Sequence, residues 1–428
     1  MVGGDIARTL MNATSHAGTH AAAQDAAEAD IDGRYAWLRL AASVLLGTIG
    51  SVGMWTVVVV LPAVQAEFGV DRASASLPYT TTMVGFALGN VLLGRFVDRM
   101  GIFVPMLMAT ASLLIGFVGA ASVSSIWLFA IFQTVVGFGA SATFGPLIAD
   151  LSHWFRKRRG VAVAAAASGN YFAGAIWPLL MQLTLPTEGW RFTYVAIAIV
   201  CTVTMVPLAM ALRRPAPHDL AVAGNGQGHA HRLSIDLSPR TLQILLAIAG
   251  IGCCVAMSMP QVHIVAYCVD LGFGVARGSE MLSLMLVGGV VSRLASGFIA
   301  DYIGGVKTLL IGSVAQGLAL LAYIPFDGLA SLYVVSLVFG LSQGGIVPSY
   351  AIIVREYLPA REAGQRVGLV IMATIAGMAL GGWLSGFIYD LTGSYAAAFW
   401  NGIAWNVLNV VIMVGVLMRT RSPRAAVA

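Results

Sequence analysis

The chain of 428 residues is 58% hydrophobic and only 10% charged, with a net charge of +5. A soluble domain is typically about 25% charged, so this composition excludes one and describes an all-α protein embedded in the lipid bilayer. The basic balance does not call for nucleic acid as a partner, because Arg gathered in the loops on one membrane face produces it.

In chain order, residues 1–33 contain Ala, Asp and His without an apolar core. They read as a disordered cytoplasmic tail rather than a signal peptide. Twelve apolar runs follow, each close to the length that one helical crossing needs. They are 37–60, 78–97, 102–121, 126–149, 161–183, 191–212, 241–268, 280–300, 306–324, 330–354, 367–389 and 395–418. Barrel strands would instead be runs of about 10 alternating residues. The stretch 213–240, rich in Pro, Gly, Asn and His, reads as a cytoplasmic linker. It separates a six-helix bundle at 34–212 from a second at 241–419, and 420–428 forms a short tail. With both termini inside, 20 of the 24 Lys and Arg fall in cytoplasmic segments; Arg72, Arg191 and Arg277 fall outside, and Arg293 lies within a run. That bias predicts a multi-pass protein of the cell membrane with both termini cytoplasmic.

The two bundles carry a repeat. Gly94-x-x-x-Asp98-Arg99-x-Gly101 follows the second run and Gly297-x-x-x-Asp301-x-x-Gly304 follows the eighth, at an offset of 203 that also relates Gly137 to Gly340. Gly permits close helix approach. Asp98 and Asp301 are then placed to cap a helix end or to pair with Arg while one gate is closed. The doubled loop pattern resembles the major facilitator superfamily. It implies two pseudo-symmetric bundles of six helices, with the substrate between them at the bilayer midplane.

Asp32-Gly33-Arg34-Tyr35-Ala36-Trp37 stands before the first run, and Trp154-Phe155-Arg156-Lys157-Arg158-Arg159-Gly160 leads into an Ala-rich fifth run that reaches Ser168-Gly169. With Gly189-Trp190-Arg191, these segments resemble the monocarboxylate transporter family, its bacterial members and the related oxalate–formate exchangers included. Asp32, Gly33, Trp37, Phe155, Lys157, Arg158, Arg159 and Gly169 carry the match, with Tyr35 as a different aromatic; Arg34, Trp154, Val161 and Ser168 depart from it. The basic cluster retains its helix end on the inner side and is also placed to meet lipid phosphate. The resemblance implies alternating access by a functional monomer, with proton symport or anion exchange.

In that family an Arg of the eighth helix holds the substrate carboxylate, and Arg293 falls at the matching place. A guanidinium is always charged and grips a carboxylate bidentately, and an intramembrane charge marks a functional site. The alternative is that Arg293 pairs with a protein carboxylate; the nearest acids, Asp150, Asp270, Glu280 and Asp390, all lie at helix ends. Proton-coupled members carry an Asp one turn before this Arg, where Gly289 stands here, and a Lys in the first helix, where Thr56 is the nearest match. Oxalate–formate exchangers add a Lys in helix 11, and residues 367–389 contain none.

His263 is the proton-coupling candidate, since imidazole titrates near physiological pH; it is equally placed to be a helix–helix hydrogen bonder. Tyr267, four residues on, shares its face. Asn170, Tyr171, Trp55 and Gln343 complete the candidate substrate site; the structural alternatives are interhelical hydrogen bonding for Asn170 and Gln343 and an interface aromatic for Trp55. His229 and His231 read as solvated linker, and neither a metal nor a cofactor is expected. No Gly-x-x-x-x-Gly-Lys-Ser/Thr or His-Glu-x-x-His motif is present, which argues against ATP drive and metalloenzyme chemistry. The expectation is a carrier of a small organic monocarboxylate, with an exporter of drugs or aromatic compounds, or a transporter-derived sensor, as alternatives.

Overall fold

The computed structural model describes residues 31–151, 153–155, 158–214, 235–359 and 362–420. Most of the amino-terminal tail and linker, with His229 and His231, the 421–428 tail, and Arg156 and Lys157 lie outside the described residues, as do the side chains of Asp98 and Arg159.

Among the described residues the helices form twelve spans that alternate in direction. Span 1 comprises Arg34–Gly50 and Val52–Phe68, span 2 Arg72–Met100, and span 3 Phe103–Ser122. Span 4 comprises Ile126–Ser141 and Gly145–Leu151, span 5 is Arg159–Met181, and span 6 is Leu185–Ala211. The second half holds span 7 Pro239–Asp270, span 8 Gly274–Ile303 and span 9 Gly305–Ala322. Span 10 comprises Leu329–Gln343 and Ile346–Tyr357, span 11 is Ala363–Thr392, and span 12 is Tyr395–Met418. The face where span 1 begins and span 12 ends is called the terminal face, and the opposite one the far face. Among the described residues eleven helices are long and apolar enough to cross a membrane. Span 5, of 23 residues, is the remaining one, because Ala-Ala-Ala-Ala-Ser-Gly-Asn at 164–170 lowers its hydropathy.

Three of the predicted continuous runs are broken. Span 1 is longer than 37–60 and is interrupted at Ser51, whose hydroxyl lies 3.2 Å from that of Thr143 in the break of span 4. Span 10 breaks at Gly344 and Gly345. Breaks at membrane depth are tolerated where other helices surround them.

The repeat is visible atom by atom. A Cβ on Gly137 would overlap the carbonyl oxygen of Thr82, and one on Gly340 would overlap that of Met285. Thr82 and Met285 are themselves 203 apart. Spans 2 and 4 therefore cross as spans 8 and 10 do. Gly101 (φ 73°, ψ 175°) and Gly304 (φ 82°, ψ 164°) end spans 2 and 8 in one unusual conformation, a region that only Gly enters readily. Their N–H groups bond the carbonyls of Val97 and Ala300. Gly94 and Gly297 have open space where a side chain would point. Arg99 and Asp301 are exposed, and no ion pair holds either among the described residues.

The halves meet along spans 2 and 11, 5 and 8, and 1 and 7. Among the described residues, the polar contacts that join them lie at Arg293 and farther toward the far face.

Candidate substrate site

Arg293 lies on span 8, ten residues from its terminal-face end, or about 15 Å at 1.5 Å per residue. It is half-buried. Its Nη1 donates to the Ala167 carbonyl of span 5 at 2.7 Å, and Nε reaches the Gly344 carbonyl at 3.4 Å. The break in span 10 explains the second contact, since an interrupted helix leaves carbonyls without their usual partners. The guanidinium stands 4.1 Å from the centre of the Tyr171 ring. Among the described residues no carboxylate lies within ion-pair distance of it. A guanidinium has five N–H donors, and two are used, so three remain for an anion.

Three further predicted residues gather beside it. The Trp55 indole N–H of span 1 points at Asn170, 3.0 Å from its carbonyl oxygen and 3.2 Å from Oδ1. Tyr171 follows Asn170 in span 5 and lies under Arg293. Two glycines make the fit: a Cβ on Gly289 would stand 3.3 Å from Tyr171 Cε1, and one on Gly174 would stand 2.7 Å from the Trp55 ring. Arg293, Tyr171, Asn170 and Trp55 thus form one cluster drawn from both halves. Gln343 precedes the broken turn that Arg293 touches. Its Oε1 accepts from Gln261 Nε2 at 2.6 Å, and its own fully buried Nε2 has no partner among the described residues.

His263 and Tyr267 belong to a different place. His263 is seven residues from the far-face end of span 7, and Arg293 is nineteen from the far-face end of span 8, a depth difference of about 18 Å. A small anion does not bridge that. His263 Nδ1 lies 3.1 Å from the Tyr395 hydroxyl and Nε2 lies 2.8 Å from the Gly382 carbonyl oxygen. Tyr267 packs edge-on against Tyr395, ring centres 5.3 Å apart.

The family model of the Major Facilitator Superfamily matches residues 44–331 and 269–428. The chain belongs to the major facilitator superfamily. It is a membrane transporter and not an enzyme. The chain is 24% identical to Monocarboxylate transporter 13 of Rattus norvegicus, over 86% of each protein. It is 25% identical to Monocarboxylate transporter 11 of Homo sapiens, over 86% of this chain and 80% of that one. MFS transporter asaE of Aspergillus flavus is 22% identical over 72% of this chain and 70% of its own length. Among solved structures, a bacterial homolog of the human lysosomal transporter Spinster, described as inward-facing and unoccupied, superposes with a TM-score of 0.71 at 12% identity, covering 91% of this chain and 99% of that one.

Within this facilitator fold, the two segments that resemble monocarboxylate transporters touch each other. Tyr35 packs edge-on against Trp154 (5.0 Å) and Trp37 against Phe155 (5.3 Å), while Asp32 N–H bonds the Trp154 carbonyl. Gly33 caps span 1, and the Arg158 guanidinium lies 5.7 Å from the Trp37 ring centre. Gly169 lets span 5 approach Gly47 of span 1, where a Cβ would stand 3.0 Å from the Gly47 Cα.

Beneath the aromatic pairs is a group that sequence reasoning misses. Arg39, 1% exposed, bonds Asp150, 3% exposed, through Nε and Nη2 at 2.9 Å each. Arg39 counts among the inner-side charges in a loop-based reading, but it is a helical residue inside the bundle. Its one available signal is the apolar context of Leu38, Leu40 and Ala41. Arg72, which the apolar runs place in an outer loop, is instead the first residue of span 2. It is 7% exposed and joins the halves through Asp270 and Tyr395.

Proposed function

We propose that this facilitator is a secondary transporter of a small organic monocarboxylate, which Arg293 binds between the two halves during alternating access. The observation that carries this reading is a half-buried guanidinium at the contact of both halves, with three donors free and no protein carboxylate beside it among the described residues. A single positive charge favours a monovalent anion, since a dicarboxylate would bring an unpaired charge into the site. The similarity to proteins named monocarboxylate transporters supports the same substrate class. The Lys and Arg distribution supports a cytoplasmic terminal face, and the contacts between the halves at the far face support an inward-facing reading of this arrangement.

Uptake of a radiolabelled carboxylate panel into proteoliposomes, with and without a pH gradient, tests the reading. At least one monocarboxylate enters saturably, and Arg293→Ala abolishes the uptake. Gradient-driven accumulation identifies proton symport; counterflow without gradient response identifies anion exchange. Saturable uptake unchanged in Arg293→Ala would refute the site.

Export of an aromatic compound is the second reading. Trp55 and Tyr171 beside Arg293 give the site two aromatic walls, and MFS transporter asaE is similar over most of the chain. Competition of the labelled monocarboxylate by aromatic acids of increasing size separates the two.

A further inference from the structure

At the far face the halves are joined by a group that includes His263 but lies apart from Arg293. Arg72 opens span 2 in the first half and inserts its side chain among residues of the second. Nη2 reaches Asp270 Oδ1 of span 7 at 3.1 Å, and Nη1 donates to the Tyr395 hydroxyl of span 12 at 2.5 Å. The guanidinium also lies 4.7 Å from the centre of the Tyr389 ring of span 11. Asp390 of span 11 accepts from the backbone N–H of Arg72 at 2.9 Å and of Ala73 at 2.6 Å, so a second-half carboxylate caps a first-half helix. Below it, spans 2 and 11 close as a seam: Thr80 donates to the Ala379 carbonyl at 2.8 Å, and a Cβ on Gly382 would stand 2.7 Å from the Tyr79 ring. The buried Arg72 Nε has no acceptor among the described residues, so the closed arrangement is incompletely satisfied.

His263 reads onto this group through a fixed order of donors. The Gly382 carbonyl only accepts, so the proton of a neutral His263 sits on Nε2 and Nδ1 is the acceptor. The Tyr395 hydroxyl therefore donates to Nδ1 while its oxygen accepts from Arg72. A proton added at Nδ1 reverses one link. Tyr395 oxygen would then face donors from both His263 and Arg72, its own hydrogen would lose its acceptor, and a second positive charge would stand beside the guanidinium. The other titratable groups around this point are Asp270 and Tyr267 of span 7, Tyr389 and Asp390 of span 11, and Tyr79 of span 2.

We propose that His263 is the proton site of a far-face latch, in which a proton on Nδ1, relayed by Tyr395, releases Arg72 and lets the far face open. The latch rests on the transport reading for its purpose but acts about 18 Å from Arg293 along the helix axes, so protonation governs the gate without touching the anion.

The test needs no substrate, so its outcome is separate from that of the uptake assay. Spin labels on Ala66→Cys and Leu391→Cys, exposed far-face positions in opposite halves, report their separation in full-length protein whose four native cysteines are replaced. On moving from about pH 8 to about pH 5, the parent protein gains a longer-distance population. His263→Gln, which supplies an acceptor to Tyr395 and a donor to Gly382, holds the short distance at both pH values. Tyr395→Phe loses the pH response, and Arg72→Gln gives the long distance throughout. A parent protein that stays closed at low pH, a His263→Gln or Tyr395→Phe protein that still responds, or an Arg72→Gln protein that stays closed overturns the proposal. Monodispersity by size exclusion identifies folded variants, and Tyr395→Phe, which removes one oxygen, keeps the test decisive where Arg72→Gln does not fold.

Discussion

The Arg293 guanidinium lies 4.1 Å from the centre of the Tyr171 ring, and the two residues come from opposite halves of the molecule. A cation over an aromatic face is worth about 0.5–2 kcal/mol, depending on desolvation. The proposed anchor for the anion is therefore held in part by the half it does not belong to. Rocking of the halves would alter the guanidinium that the anion meets, which is what coupling of binding to movement requires.

Gly289 sets that spacing and gives the first prediction. A Cβ there stands 3.3 Å from Tyr171 Cε1, so Gly289→Ala should displace the ring by a few tenths of an ångström and weaken anion binding several-fold. Gly289→Asp goes further, placing a carboxylate one turn from Arg293, as in the proton-coupled transporters that the sequence resembles. The new carboxylate competes with the substrate while ionised and withdraws once protonated. Uptake by Gly289→Asp should therefore rise as external pH falls, relative to the parent protein. Initial rates measured against pH decide it, and a pH profile identical to that of the parent protein would count against a direct Arg293–anion contact.

Four helical glycines of the repeat divide into two classes with opposite expectations. At Gly137 and Gly340 a methyl group would overlap a backbone carbonyl of the crossing helix, which cannot swing aside as a side chain can. Overpacking of this kind costs about 1–3 kcal/mol or more. Gly137→Ala and Gly340→Ala should each lower the melting temperature in detergent and reduce expression. Gly94→Ala and Gly297→Ala meet nothing within 4 Å and should leave stability unchanged. Equal melting temperatures for all four would refute the crossing geometry.

Much of this architecture is legible in the sequence, and the reason is physical. Twelve apolar runs and a 203-residue offset are consequences of bilayer thickness and of duplicated packing, and both survive in residue types. Arg293 also stands out by residue type, because a charge in an apolar run is costly to insert. Trp55, the Asn170–Tyr171 pair and Arg293 stand far apart along the chain, and only the approach of spans 1, 5 and 8 brings them together. The breaks at Ser51, 142–144 and Gly344–Gly345 leave no mark in hydropathy, since each flanking segment stays apolar. Arg39 and Arg72 escape notice because a basic residue near a helix end looks the same whether it meets water or a buried acid. His263 stands out by type, while its neighbours Tyr395 and Gly382 lie 132 and 119 residues away.

Arg39 and Asp150 provide the third prediction. The pair is bidentate and almost wholly buried under the Trp154 ring, whose centre is 4.5 Å from the guanidinium. Removing one partner of such a pair strands the other and costs about 3–5 kcal/mol, whereas replacing both by apolar residues is often close to neutral. Arg39→Met alone and Asp150→Leu alone should both be strongly destabilised in thermal unfolding. The double variant should recover most of the loss. A double variant as unstable as the sum of the two singles would show that the pair contributes no mutual interaction.

Arg191 closes the comparison of far-face arginines and supplies the fourth prediction. It bonds Glu67 of span 1 through Nε (3.0 Å) and Nη2 (2.6 Å) and the Ala121 carbonyl of span 3 through Nη1 (2.6 Å). All of these partners lie in the first half, and the Arg191 and Glu67 side chains are 34% and 41% exposed. An exposed ion pair contributes about 0–1 kcal/mol, so Arg191→Gln should cost little stability. Because the contact lies within one half, Arg191→Gln should also show the same distances between labels at Ala66→Cys and Leu391→Cys as the parent protein at every pH. Arg72→Gln differs on that second count, since the partners of the Arg72 side chain, Asp270 and Tyr395, both belong to the other half. Should Arg191→Gln open the far face as Arg72→Gln does, the opening would reflect general loss of far-face charge rather than a latch between halves.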